Sequence, residues 1–218
     1  MSGFLNKPKI LRGAFVEYGL SVPPLSVVFQ FNPVQLTRNR SLTYEAPSSA
    51  QTSLRDFHKQ FDNLTDLQRQ QQVTIREENI GFEIRLDATD KLDEGDPVAG
   101  RFGIAPQLST LELMVHPKDE SLLGRTLGGF SFPRKPNPPL ILFIWGRNRV
   151  LPVNIEYLNI TEILYSTDLN PIRATAAVNL TVIEGNSVPY RYSKSMKEAM
   201  SVLSSTNTTD NTTVIIPD

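Results

Sequence analysis

The sequence contains no cysteine and only two histidines. Without cysteine, disulfides, thiolate metal sites and thiol nucleophiles are excluded. His58 and His116 lie far apart and do not form the His-x-x-x-His spacing that presents two metal ligands on one helix face. We therefore predict no metal site, and we expect both histidines to be structural.

Long apolar runs and an excess of one charge are also missing. No apolar stretch approaches the roughly 20 residues that span a bilayer, and residues 1–10 carry lysines without a signal-like apolar segment. The 22 Lys and Arg nearly balance 23 Asp and Glu, so no global field attracts nucleic acid or an acidic membrane. These features predict synthesis in the cytoplasm, no membrane insertion and no nucleic-acid partner.

Motifs of catalysis and cofactor binding are not found either. The segments GRFG at residues 100–103 and LGGF at 127–130 lack the Gly-Lys-Ser/Thr ending of a phosphate-binding loop, so turns are expected there. The acidic pairs at residues 93–94 and 119–120 stand in hydrophilic segments typical of solvated loops. We predict no catalytic residue and no cofactor, and we do not expect an enzyme.

The composition is that of an ordinary globular protein. With 218 residues, 39% of them hydrophobic and 21% charged, the chain suits one domain with an appendage. We predict a β domain over residues 1–190, with helical and loop insertions at about 46–72 and 90–138. A short helix and a polar C-terminal tail are predicted over residues 191–218.

A period of two in the apolar residues predicts most of the elements as strands. The clearest strand is the last, where Ala174, Ala176 and Val178 alternate with polar residues, and residues 157–158 change phase as at a β-bulge. Residues 140–145 are continuously apolar, which is typical of a strand covered on both faces. The predicted strands cover residues 9–18, 25–31, 36–44, 73–75, 80–86, 140–145, 150–165 and 172–182.

Three helices are predicted from apolar spacings of three and four. The first follows a Ser53 and Asp56 capping pair and runs through Phe61 to Leu67, the second starts near Pro106, and Ser193 caps the third. Residues 90–95 are predicted as a charged turn and 124–139 as a Gly- and Pro-rich loop. The fold class is α+β, mainly β, with an antiparallel barrel or sandwich and flanking helices.

Five basic residues are candidates for contacts with other proteins. Arg147 and Arg149 stand near Trp145, and Arg134 and Lys135 stand near Phe130 and Phe132, a pattern that resembles nucleic-acid stacking. The balanced net charge favours an acidic protein partner instead. Arg173, on the outward face of the last strand, is either an exposed charge or a contact across subunits.

Four segments carry a resemblance to a known family: VVFQFNP at residues 27–33, GIAPQL at 103–108, PPLILFIWG at 138–146 and LNPIRA at 169–174. In this order they resemble the tube-type proteins of contractile injection systems, which are phage-tail-like particles. The same residues also have structural interpretations. Asn32-Pro33 ends a strand, Trp145 anchors the core, and Asn170-Pro171 begins the final strand.

The resemblance implies a tail-tube-like β-barrel domain that assembles in rings of six around a channel. It further implies a structural baseplate component, assembled into a particle, that joins the inner tube to the spike hub and initiates tube assembly. Its partners would be the inner tube protein, the spike or hub protein and other baseplate proteins. Some relatives carry a peptidoglycan-binding LysM module, whereas only a short helix and a polar tail follow residue 190 here.

Two alternatives remain open at this point. The repeating inner-tube subunit belongs to the same structural class. A small-ligand-binding β-barrel protein belongs to another class, because a barrel-like strand pattern does not specify function.

Overall fold

A computed structural model describes residues 11–19, 24–47, 52–117 and 137–206. These residues form a mixed α+β fold in which antiparallel strands predominate, which confirms the predicted class. The strands are β1 Ala14–Glu17, β2 Ser26–Val28, β3 Leu36–Asn39, β4 Leu42–Glu45, β5 Gln72–Ile75, β6 Asn79–Asp87, β7 Ile141–Ile144, β8 Val150–Tyr165 and β9 Pro171–Val182. The helices are α1 Leu54–His58, α2 Leu64–Gln70, α3 Thr89–Asp93, α4 Pro97–Phe102, α5 Ala105–Leu113 and α6 Val188–Thr206.

Seven strands form one sheet in the order β2-β1-β7-β8-β9-β6-β3, and β4 and β5 form a second, two-stranded sheet. Every neighbouring pair is antiparallel. The outer strands β2 and β3 do not pair with each other, so over the described residues the sheet is open and not the closed barrel that was one predicted form.

The large sheet curls strongly on itself. The ring centroids of Phe15 on β1 and Phe82 on β6 are 6.0 Å apart although three strands separate them in the sheet. Four strand spacings in a flat sheet would separate them by about 19 Å. The main-chain N–H of Asp87, at the end of β6, donates to the Gln30 side chain at 2.9 Å, just beyond β2. The two ends of the sheet are therefore held together by side-chain contacts, because no ladder hydrogen bonds join them over the described residues.

The interior of the curl is packed with aromatic and aliphatic side chains. Phe15, Phe29 and Phe143 are fully buried, and Phe29 and Phe82 lie 5.7 Å apart. Leu108 and Leu111 of helix α5, and Met114 directly after it, belong to this core. Pro106 lies in the first turn of α5 as predicted, where its missing N–H has no helical partner to lose.

The strands confirm most of the predicted period-two pattern. In β9 the alternate residues Ala174, Ala176, Val178, Leu180 and Val182 are buried. The register of β8 against β9 shifts between Ile155 and Tyr157, which confirms the predicted bulge. In β7 one face is fully buried and the other half-buried, so the prediction of a strand covered on both faces holds only in part.

The segments of the predicted family resemblance make contacts that stabilise the fold. The Asn32 side chain accepts from the N–H of Gly13 at 3.0 Å and donates to the Leu11 carbonyl at 2.8 Å, which closes the β1–β2 hairpin. Trp145 stacks on Phe143 at 5.9 Å, as expected of a core anchor. Asn170 donates to the Arg101 carbonyl at 3.0 Å, so residues 169–174 lie against residues 101–104. The contacts give these residues structural roles.

Two predicted elements are each divided in the structure. The strand predicted over residues 36–44 breaks after Asn39, and β3 joins the large sheet while β4 joins the small one. The helix predicted from Ser53 is two short helices, because the Asn63 side chain accepts from the N–H of Thr65 at 2.8 Å and starts α2 anew. The predicted Ser53 and Asp56 cap is confirmed.

Three predicted boundaries or turns were wrong. The charged turn at 90–95 is largely helix α3, and the GRFG turn is the end of helix α4, which Asp96 caps by accepting from Val98 and Ala99. Helix α6 begins at Val188, so Ser193 lies inside it and does not cap it. The Ser193 hydroxyl instead accepts from the Val150 N–H and donates to the Val150 carbonyl.

Some predictions fall outside the described residues. They concern most of the loop at 124–139, the acidic pair at 119–120, the LGGF segment at 127–130, Arg134, Lys135, Phe130 and Phe132, and the polar tail from residue 207. Of the helices in the described part of the chain, none combines the length and apolar character needed to cross a bilayer.

Candidate functional site

The two histidines make local contacts in the structure. His58 Nε2 lies 3.0 Å from Gln71 Nε2, and His116 Nδ1 lies 2.7 Å from the Glu112 carbonyl at the end of α5. Over the described ranges, no three His, Asp or Glu side chains are grouped so that they could hold a metal ion. The candidate functional features of the described residues are two apolar surfaces and a charged cleft.

The first surface is one face of a projecting arm, by which we mean β4, α1, α2 and β5. The pairs Leu42 with Ile75 and Tyr44 with Val73 lie on one face of its ribbon, and the pair of Thr43 and Thr74 lies on the other. The four apolar side chains are between 42% and 58% exposed. A two-stranded ribbon is only marginally stable alone in water, and a one-sided apolar face of this kind is typical of a contact surface.

The second surface is the free edge of β8. This strand pairs with β7 only through residues 150–153, whereas its ladder with β9 continues to Tyr165. Beyond residue 153, no described strand lies beside that edge, and Tyr157, Ile163 and Leu164 are exposed along it. A long apolar edge is a template for pairing with another chain.

The free edge of β8 starts near the base of the arm, where Asn154 lies opposite Thr181, and its far end lies away from the arm. The arm starts beyond Asn79, which pairs with Thr181, whereas the β8–β9 turn lies at the other end of the ladder, where Asp87 pairs with Arg173. The nine residues of β6 place those ends about 30 Å apart. Among the described residues both surfaces are exposed, so each is available for contact with a partner.

A charged cluster fixes helix α6 to the base of the arm. Glu78, whose side chain is only 3% exposed, pairs through Oε1 with Arg38, and through Oε2 with Arg40 at 3.4 Å and Lys197 at 3.1 Å. Burial alone would raise the pKa of Glu78, but the hydrogen bonds and charges of Arg38 and Lys197 outweigh it and lower the pKa. Glu78 is therefore a buried counter-ion shared by three cations.

Further polar residues next to α6 extend this cluster. Arg40 also pairs with Glu184, which accepts from the Tyr190 hydroxyl at 3.1 Å. Arg149 is half-buried nearby, and burial together with the charge of Arg38 lowers its pKa. The predicted basic set is thus divided, since Arg149 adds its charge to this cluster while the Arg147 carbonyl accepts from Tyr192 at 2.8 Å.

Sequence reasoning missed Glu78, Lys197 and Glu184 as members of this cluster. The available signal was the spacing of Arg38 and Arg40, which stand two residues apart and so share a face of an extended segment. Because the contact is with residues distant in sequence, the identity of the partner could not be inferred from spacing.

A second polar cluster surrounds Asp87 at the opposite end of β6. Arg173 Nε donates to Asp87 Oδ2 at 2.7 Å, and the Thr89 N–H donates to Oδ1 at 3.0 Å. Burial opposes ionisation, but the hydrogen bonds from Thr89 and the hydrogen bond and charge of Arg173 lower the pKa of Asp87 from 3.8 to about 2. Arg173 therefore forms an ion pair within its own chain, and the pair orders the turn before α3.

Replacing Asp87 with asparagine is expected to lower the free energy of unfolding by about 2 kcal/mol at neutral pH, since charge-assisted hydrogen bonds are lost. A carboxylate whose pKa is lowered on folding contributes stability above its unfolded pKa and loses it as the pH falls. The difference between wild type and Asp87→Asn should therefore shrink as the pH falls from 4 towards 2. Urea unfolding across this range measures it, and Asp90→Asn on exposed α3 is the control. A constant difference would contradict a role for the charge.

Comparison with known proteins gives no assignment. No protein-family model matches the chain, and no curated protein matches its sequence.

Proposed function

We propose that this protein is a structural, non-catalytic baseplate component of a contractile injection system, which joins the inner tube to the spike hub and initiates tube assembly. The resemblance of the segments at 27–33, 103–108, 138–146 and 169–174 motivates the proposal. The curled antiparallel sheet is compatible with the tail-tube-like domain that this resemblance implies. The subunit would assemble in the cytoplasm as a ring of six, in contact with inner tube, spike and other baseplate proteins.

The observation that carries the proposal is the pair of uncovered apolar surfaces, the arm face and the free edge of β8. A closed ring of identical subunits places one surface of each copy against a different surface of the next, which buries both without leaving an open end. Two different surfaces on one subunit suit such head-to-tail contacts. Scaffolding of this kind requires contacts and no reaction.

The alternatives predict different distributions of the protein. A repeating inner-tube subunit would occur along the whole tube, whereas a baseplate adaptor would occur in one ring. The small-ligand-binding alternative has less room in the fold, because the interior of the curled sheet is occupied by phenylalanine rings such as Phe15, Phe29 and Phe143. Any ligand would have to bind outside that core.

Cryo-electron microscopy of particles purified through a tag on this protein tests the location. Density in a single ring between spike and tube is expected. Density repeated along the tube would replace the adaptor with the tube subunit. The absence of any particle would overturn the assignment to an injection system.

The arm face is expected to be necessary for ring formation. The double variant Leu42→Ser and Ile75→Ser removes one apolar cross-strand pair, and the loss of about 3 kcal/mol of burial should weaken each contact about 100-fold. Native mass spectrometry of the purified protein should then show monomers where wild type shows rings. The matched control, Thr43→Ser with Thr74→Ser, changes the opposite face of the same ribbon and should still form rings. Rings of unchanged stability in the apolar variant would exclude this face from the interface.

A further inference from the structure

A cleft of about 510 Å³ opens between the base of the arm and helix α6. Its volume falls within the range of small-molecule and peptide-anchor pockets. Residues 38–40 form one wall, residues of α6 between Tyr190 and Glu198 form the other, and Leu151 also lines the cleft. Its polar lining consists of Arg38, Asn39, Arg40, Glu78, Tyr190, Ser193, Lys194, Lys197 and Glu198.

Cations outnumber carboxylates in this lining. Four lining side chains carry a positive charge, and only Glu78 and Glu198 carry a negative one. Glu184 neutralises part of Arg40, but Arg149 adds another positive charge beside Arg38. The cleft is therefore positive in a chain whose formal net charge is −1. A locally positive concavity with partly apolar walls concentrates anions.

The cations are held in place before any ligand binds. Glu78 lies at the bottom of the cluster, and the side chains of Arg38, Arg40 and Lys197 remain 36%, 37% and 42% exposed above it. A guanidinium has five N–H donors, more than these ion pairs use. The charged donors facing the cleft are thus ordered and incompletely satisfied, which lowers the entropy cost of binding an oxyanion.

Lys194 adds a further positive charge to the lining of this cleft. It lies one turn before Lys197 on the same side of α6, and it forms no ion pair with any carboxylate in the described ranges. An exposed lysine alone is ordinary. Beside two ordered arginines and a second lysine, it extends the positive surface along the helix wall.

We propose that this cleft binds the carboxylates of an acidic segment of another protein. Two guanidinium groups suit bidentate pairing with carboxylates, and the lysines can contact further side chains along an extended segment. A nucleic acid fits less well, because the only aromatic residue in the lining, Tyr190, packs against the core and gives its hydroxyl to Glu184. A base would have no platform on which to stack. This proposal is independent of the baseplate role.

Fluorescence anisotropy with a labelled hexaglutamate peptide tests the proposal, with hexaglutamine as the neutral probe. Hexaglutamate should bind the wild type more tightly than hexaglutamine at about 50 mM salt, and the difference should shrink at higher salt. Lys194→Gln should weaken hexaglutamate binding about fivefold, and Lys194→Gln with Arg40→Gln should weaken it about 25-fold. Lys91→Gln, on exposed helix α3, is the matched control and should bind as wild type does.

Three results would overturn the proposal. One is equal binding of the two peptides, and another is equal weakening by Lys194→Gln and Lys91→Gln. The third is tighter binding of a single-stranded oligonucleotide that carries the same number of charges, which would assign the cleft to phosphates. Since Lys194 is exposed and unpaired among the described residues, its variant should keep the melting temperature of wild type, which separates lost binding from lost folding.

Discussion

Replacing Gly103 with alanine is expected to destabilise the fold by about 3 kcal/mol or more. Gly103 ends helix α4 with φ of 58° and ψ of −129°, a conformation that residues with a Cβ rarely adopt. A Cβ atom there would also lie 2.0 Å from the Pro171 carbonyl oxygen, which accepts from the Ile104 N–H at 2.8 Å. Moving the Pro171 carbonyl away from the new Cβ atom would break this hydrogen bond and separate α4 from the start of β9.

Thermal unfolding measures this effect, and a neighbouring glycine provides the control. A loss of 3 kcal/mol corresponds to a fall in melting temperature of roughly 6–12 °C for a chain of this size. Gly100 lies in the same helix, has open space around its Cα and shows no positive φ. Gly100→Ala should therefore stabilise the protein by about 0.5–1 kcal/mol. Effects of the same sign and size at both positions would contradict the structural argument.

Replacing Glu78 with glutamine is expected to lower the free energy of unfolding by about 3 kcal/mol at neutral pH. The substitution keeps the size of the side chain but removes the shared counter-ion, so Arg38, Arg40 and Lys197 repel one another at the base of the arm. Removing one partner from a buried ionic group leaves charges uncompensated, which is among the most destabilising changes in a protein. The partial exposure of the three cations limits the loss.

Urea unfolding of Glu78→Gln should also reveal the charge through its pH dependence. Folding lowers the pKa of Glu78, so its contribution is complete above the ordinary value of 4.5 and is lost as the pH falls through the lowered pKa. The difference between wild type and variant should therefore decline in acid. Glu77→Gln alters an adjacent exposed carboxyl and should have little effect. If both variants lose the same stability, the cluster does not depend on Glu78.

The elements that could be predicted from the sequence are those whose burial follows the strand period. Strand β9 has one face in the core along its length, so Ala174 to Val182 show the alternation directly. The bulge in β8 also leaves a phase change in the sequence. The split after Asn39 leaves no such sign, because large side chains continue at every second position from Leu36 through Arg38 and Arg40 to Tyr44. The chain nevertheless moves from one sheet to the other.

The start of α6 and the charged cleft could not be predicted for related reasons. Ser193 is a good N-cap residue, but its hydroxyl serves the backbone of Val150, and the helix begins earlier with Pro189 in its first turn. Glu78 differs from its exposed neighbour Glu77 only in burial. Lys197 reaches Glu78 across a sequence separation of 119 residues, and local patterns do not encode such a distance.

The order of strands in the large sheet has a consequence for how the chain reaches its native state. Strand β1 pairs with β7, where Ala14 lies opposite Ile144, although β1 and β2 form a local hairpin early in the chain. During translation the edge of β1 that pairs with β7 stays uncovered until residues 141–144 have been synthesised. Loop closure over such separations is slow, and an unpaired apolar edge is exposed meanwhile. Strands β7, β8 and β9 are consecutive and antiparallel, so short connections are sufficient to bring them together, unlike the pairing of β1 with β7.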